Sequence, residues 1–99
     1  DWPQILHLYT ALLPLEPTPV VRVNHAVAMA ENGLLAAALA TLNELRDALA
    51  DYQPYLAAHA AVLAMAGQTD AARLAYDQAI ALAPHESDRQ FLAARAGRL

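Results

Sequence analysis

No cysteine occurs in these 99 residues, which excludes disulfide staples, thiolate metal sites and thiol nucleophiles together. Lysine is also missing: the six basic residues are all arginines, against ten acidic ones, and the formal net charge is −4. Such a chain lacks the clustered Lys and Arg with which proteins grip a phosphate backbone, so no direct nucleic-acid contact is expected. No apolar run approaches the roughly 18 residues of a membrane span, because Arg22, Glu31, Glu44, Arg46, Asp47 and Asp51 interrupt every candidate. The opening Asp1-Trp2-Pro3 has none of the basic residues that begin a secretory signal. It reads as a cut inside a longer, cytoplasmic protein.

What the chain has in quantity is alanine and leucine, 25 and 17 residues, within a hydrophobic content of 58%. Both are strong helix formers, whereas the β-branched and aromatic residues that favour strands are sparse. No Gly/Ser-rich or long polar tract marks disorder. The length allows one domain with one modest core, and the composition predicts an all-α fold.

One short pattern occurs twice. His25-Ala26-Val27-Ala28-Met29-Ala30-Glu31-Asn32-Gly33 lies over His59-Ala60-Ala61-Val62-Leu63-Ala64-Met65-Ala66-Gly67, with histidine, alanine and glycine each returning thirty-four residues later. The match runs on through Ala38 and Ala72, then Leu42 and Tyr76, and Ala94 continues the series of Ala26 and Ala60. Thirty-four is the period of tetratricopeptide repeats, in which each unit is a helix–turn–helix. Counted from Gln53, the small residues Ala60, Ala72 and Ala79 stand eighth, twentieth and twenty-seventh. At these places two helices must approach closely. Leu56, Leu63 and Tyr76, fourth, eleventh and twenty-fourth, fill the space beside them. Gly67 supplies a left-handed helix end, and Pro84 stops the second helix. The earlier unit has Asn24, Ala26, Met29, Gly33, Ala38 and Leu42 in phase but no closing proline.

The predicted architecture is a single tetratricopeptide-like domain, a right-handed stack of antiparallel helix pairs with about six helices. A half repeat covers 1–17, a first repeat 19–52, a second 53–86 and a capping helix 87–99. The first helix, about Trp2 to Leu13, sets Trp2, Ile5, Leu6, Tyr9, Leu12 and Leu13 at helical spacing, with Asp1 and Gln4 as a capping box. Thr18-Pro19 opens the second. The third spans roughly Leu35 to Leu49, the fourth Gln53 to Ala66 and the fifth Asp70 to Ala83. Ser87 with Gln90 reads as another capping box. It opens a last helix through Arg95 that would cover the apolar end of the stack.

In such arrays the first helix of each pair lines the concave surface. Here those positions hold Val20, Val23, Val27 and Ala30, then Pro54, Ala57, Ala61 and Ala64. The face is apolar and small-residued, with almost none of the Lys, Arg and Asn that a groove for acidic peptide tails would use. It suits an apolar element, and the competing reading is that the first helix folds over it and leaves no groove. Trp2 and Tyr9 are candidate anchors, though packing of the first helix on the second accounts for them better. The last helix, with Arg89, Arg95 and Arg98 around Phe91 and Leu92, is an outward contact or an amphipathic cap. The candidate interaction residues are therefore Val20, Val23, Val27, Ala57, Ala61, Arg89 and Arg95.

Catalysis has no support in the pattern. His25 and His59 occupy equivalent positions, but zinc needs further ligands at suitable spacing, and the seventh repeat position is normally a packing one. His7 and His85 fall at a surface and a helix end. Glu44, Asp47 and Asp51 alternate with Arg46 as a solvated face. Asp77, Glu86 and Asp88 are scattered. No phosphate loop, nucleophile elbow or Ser/His/Asp order is present, and no cofactor or metal is expected.

Beyond the repeat positions, Asp1-Trp2, Ile5, Leu8-Tyr9, Leu12-Leu13, Pro17, Pro19-Val20-Val21, Val23-Asn24 and Ala26-Val27-Ala28 form a distinctive string. Tyr52, Ala60, Leu63, Gly67, Ala71-Ala72, Ala75-Tyr76, Ala79, Glu86, Phe91-Leu92 and Arg95 extend it. The whole resembles the C-terminal tetratricopeptide-like extension of a group of bacterial extracytoplasmic-function RNA polymerase sigma factors. That resemblance implies a regulatory role in transcription initiation, exerted by docking to the protein's own upstream sigma regions or to RNA polymerase. His25 and His59 stand where that family typically has arginine, and Gln68 where a basic residue is common, so any ion pairs made there are altered. The alternative is a free-standing tetratricopeptide adaptor for a peptide or partner protein, and a third class is an accessory domain of an unrelated enzyme.

Overall fold

Six α-helices and no β-strand make up the computed structural model of the chain, which describes residues 1–99. They are α1 (Trp2–Leu12), α2 (Pro19–Glu31), α3 (Leu35–Glu44), α4 (Gln53–Met65), α5 (Thr69–Leu82) and α6 (Glu86–Ala96). No helix is long and apolar enough to cross a membrane. The chain divides into two compact units, Asp1–Leu49 and Ala50–Leu99.

In the first unit α2 packs against both α1 and α3. Its start follows from two residues: the Thr18 hydroxyl accepts the Val21 N–H at 3.2 Å, and Pro19, with φ already near the helical value, takes the first helical position. Its end follows from Gly33, whose φ of +86° an L side chain rarely tolerates. The Gly33 amide donates to the Ala30 carbonyl and the Leu34 amide to the Met29 carbonyl, both at 2.9 Å, the paired bonds of a Schellman end. Only residues 32–34 separate the two helices, so α3 returns directly along α2. Ala26 and Ala38 are fully buried there, with Val23, Met29, Leu42 and Leu45 around them.

The second unit repeats this device. Gly67 has φ +78°, its amide donates to the Ala64 carbonyl, and the Gln68 amide donates to the Leu63 carbonyl. Three residues, 66–68, link α4 to α5, and Ala60, Ala72 and Ala79 are fully buried among Tyr55, Leu56, Leu63 and Tyr76. Ala83 turns extended, at ψ 128°, as the residue before a proline must. Leu92 then buries α6 against α5.

Four details differ from the expectations. α3 ends at Glu44, not near Leu49, and residues 45–51 form turns. The Leu45 and Arg46 amides reach back only three residues, to Leu42 and Asn43. Asn43 and Asp47 are weak helix formers, and the charges of Glu44 and Asp47 oppose the negative end of the helix dipole. Neither proposed capping box forms. Asp1 caps α1 without a side-chain bond, and α6 begins at Glu86 behind His85, so Ser87 lies inside the helix. Ala94 is exposed, unlike Ala26 and Ala60. No further helix follows α6 in these residues to press on that face.

Substituting Gly33 or Gly67 by alanine should lower stability by about 1–2 kcal/mol each through left-handed strain alone, since no atom lies within 4 Å of the added Cβ. Gly97, at φ −67° and with only ordinary contacts near a new Cβ, should accept alanine with no loss. Urea midpoints of the three variants read the contrast.

Candidate functional site

The residues expected to face a partner do not share one environment. On α2, Val20 is 44% exposed, Val27 is half-buried, and Val23, at 5%, belongs to the core of the first unit. On α4, Ala57 and Ala61 are half-buried and Pro54 is exposed. α1 lies on α2 and is fixed near both ends. Thr10 Oγ1 is 3.1 Å from His25 Nε2, and the Asn32 amide donates to the Trp2 carbonyl at 3.0 Å while also donating to the Ala28 carbonyl of its own helix. Trp2 and Tyr9 thus sit on a helix seated by polar bonds as well as by packing, Tyr9 half-buried and Trp2 with part of its indole in solvent.

His25 is held in that seam, and burial pushes its pKa below the ordinary histidine value. His59 is buried within the second unit, its ring 5.6 Å from that of Tyr55 and tilted by 37°. His7 and His85 are exposed. No three His, Asp or Glu side chains gather as a metal-ligand set. Arg22, at the position where the second unit has Leu56, pairs with Glu44 across α2 and α3, a link the repeat pattern gave no reason to expect.

Around α6 the arginines divide. Arg89 donates from Nε to Glu86 at 2.9 Å and from Nη1 to the Ala83 carbonyl at 3.1 Å. It ties the helix start down while its side chain stays partly exposed. Arg95 is exposed, its guanidinium 5.4 Å from the centre of the Phe91 ring, which is itself 60% exposed. Arg95 also lines an open recess of about 230 Å³ with Ala64, Tyr76, Arg98 and Leu99. Sequence reasoning treated Tyr76 purely as a packing residue. The sequence reading set Arg98 with Arg95 around Phe91 and Leu92, and Arg98, just past the end of α6, lines the same recess.

No family model matches the chain, and no solved structure matches it. An uncharacterized protein of Rhizobium meliloti (strain 1021) is 39% identical over 92 residues, which is 93% of this chain and 22% of that relative. The chain thus spans little more than a fifth of the relative's length.

Because His25 is harder to protonate when folded, the unfolded chain binds the extra proton. The stability this contributes is complete above about pH 6.5, the ordinary histidine value, and is lost as the pH falls below it. Melting temperature measured between pH 7.5 and 5.5 should therefore decline. His25→Asn should flatten that slope; an unchanged slope would place the titration elsewhere.

Proposed function

We propose that this chain is the regulatory docking domain of a bacterial extracytoplasmic-function sigma factor, folded as a right-handed tetratricopeptide-like stack of helix pairs capped by α6. It works in the cytoplasm, contacts its own upstream sigma regions or RNA polymerase, performs no catalysis and touches DNA only through the full-length protein. The observation that supports this most is the recurrence, thirty-four residues apart, of two glycine-closed helix hairpins with alanines buried at the same positions, joined to the Asp1-Trp2 through Asn24 string that resembles that family. The Rhizobium relative supports it in a second way: there the matching segment is a fraction of a longer bacterial protein, as an extension attached to other regions would be. The surface agrees with a protein partner. Several large apolar side chains, Leu8, Leu15, Leu74 and Phe91 among them, are well exposed, while the net charge of −4 disfavours a polyanion.

In a reconstituted transcription assay, the full-length protein truncated before Asp1 should initiate from its promoter at an altered level, by severalfold or more. Equal activity of the two forms would contradict a regulatory role and favour a free-standing adaptor. The 99-residue chain by itself should not retard promoter DNA in a gel at near-physiological salt, and tight salt-sensitive binding there would overturn the charge argument.

A further inference from the structure

We propose that the recess lined by Ala64, Tyr76, Arg95, Arg98 and Leu99 is a carboxylate-binding subsite that receives one acidic side chain from a peptide segment of the docking partner. Three features of the second unit point to it. The first is the arginine inventory. Arg73 has Asp70 at 3.9 Å and Arg89 has Glu86 at 2.8 Å, whereas Arg95 and Arg98 have no carboxylate within ion-pair distance, and both line the recess. A guanidinium offers a rigid fork that matches a carboxylate's two oxygens. Arg95 is additionally held over the Phe91 ring, which limits the orientations it must give up on binding.

The second feature is Tyr76. It is 2% exposed and lines the recess. Packing does not require its hydroxyl: thirty-four residues earlier the same position is Leu42, which is fully buried. A neutral donor beside two cations suits a carboxylate oxygen.

The third feature is size and surroundings. At about 230 Å³ the recess falls below the roughly 300 Å³ at which pockets begin to enclose small-molecule ligands, so it admits one side chain, beside the methyl group of Ala64. Asp51, Asp70, Asp77, Glu86 and Asp88 outnumber the four arginines of this unit. A polyphosphate or nucleic-acid strand gains little from a unit whose acidic residues outnumber its basic ones. A single carboxylate flanked by aliphatic residues needs only Arg95 and Arg98.

The inference rests on the docking role proposed above but not on the sigma-factor assignment. Its test is a titration of the 99-residue chain with an acetylated, amidated Gly-Leu-Glu-Glu-Leu-Gly peptide, following the side-chain Nε–H signals of Arg95 and Arg98 by NMR. Both should shift, and the Gln-Gln counterpart should bind about tenfold more weakly, the difference made by removing a charge-assisted pair. Arg95→Gln and Arg98→Gln should each weaken the Glu peptide about fivefold or more, and Tyr76→Phe, which keeps the packed ring, about threefold. The proposal is overturned if the Glu peptide leaves both signals unmoved at millimolar concentration. It is equally overturned if Tyr76→Phe and Arg98→Gln bind like the parent, or if octathymidylate binds more tightly than the peptide. Failure here alongside altered transcription on truncation removes the recess and leaves docking to another face. Binding here with unchanged transcription keeps the recess and removes the transcriptional role.

Discussion

Two helices that meet through methyl groups lie close together, and the rest of this structure depends on that closeness. Ala26 and Ala38 in one unit, and Ala60, Ala72 and Ala79 in the other, are fully buried, so each hairpin has its backbones near contact where larger side chains would hold them apart. A three-residue link must then reverse the chain in little space. The left-handed glycine does this while its amide and the next one satisfy carbonyls left open at the helix end. Alanine surrenders no side-chain entropy on burial, so the crossing point is inexpensive to order. The larger side chains, Leu42, Leu56, Leu63 and Tyr76, are needed only beside it.

The same scaffold leaves individual positions free to differ. At the fourth place in the repeat, unit two buries Leu56 and unit one sets Arg22 against Glu44. Burying a leucine side chain contributes about 1.5–3 kcal/mol, while a partly solvated ion pair contributes about 1 kcal/mol at most. The second hairpin is therefore the better secured of the two at this point. At the twenty-fourth place the exchange runs toward polarity, with Leu42 in one unit and Tyr76 in the other. A residue that packing would accept as hydrocarbon but that bears a hydroxyl is where chemistry for a partner can be added without loosening the core.

The sequence was most legible where one residue type has one physical job. Gly33 and Gly67, Thr18 with Pro19, Pro84 and the in-phase alanines other than Ala94 announced their roles, because left-handed backbone, a side-chain acceptor, a missing amide and a small volume are each local properties. The end of α3 was not legible, since Leu45 and Leu49 continue the apolar spacing while Asn43, Glu44 and Asp47 weaken the helix electrostatically. The Asp1 and Ser87 capping patterns failed because a pattern of types does not fix the extended backbone that a cap needs. Val23 had a concave repeat position and proved to be core. Neither the Arg22–Glu44 pair nor the meeting of Tyr76 with Arg95 and Arg98 follows from a period, because both depend on which side of a helix faces a neighbour from another turn of the chain.

The charges along α6 explain how two arginines can stand without carboxylates. Glu86 and Asp88 lie in its first turn and Arg95 in its last, so negative charge meets the positive end of the helix dipole and positive charge the negative end. Arg89 is spent on Glu86 and the Ala83 carbonyl, securing the helix start. Arg95, in contrast, is stabilised by the helix terminus and by the Phe91 ring, neither of which occupies its hydrogen-bond donors as a carboxylate would. A guanidinium held in this way keeps its full capacity to bind an anion while remaining in place. An arginine already paired at the surface would have to exchange one carboxylate for another, with little net gain. The placement of Arg95 and Arg98, more than their number, is what sets this end of the molecule apart from the rest of an acidic surface.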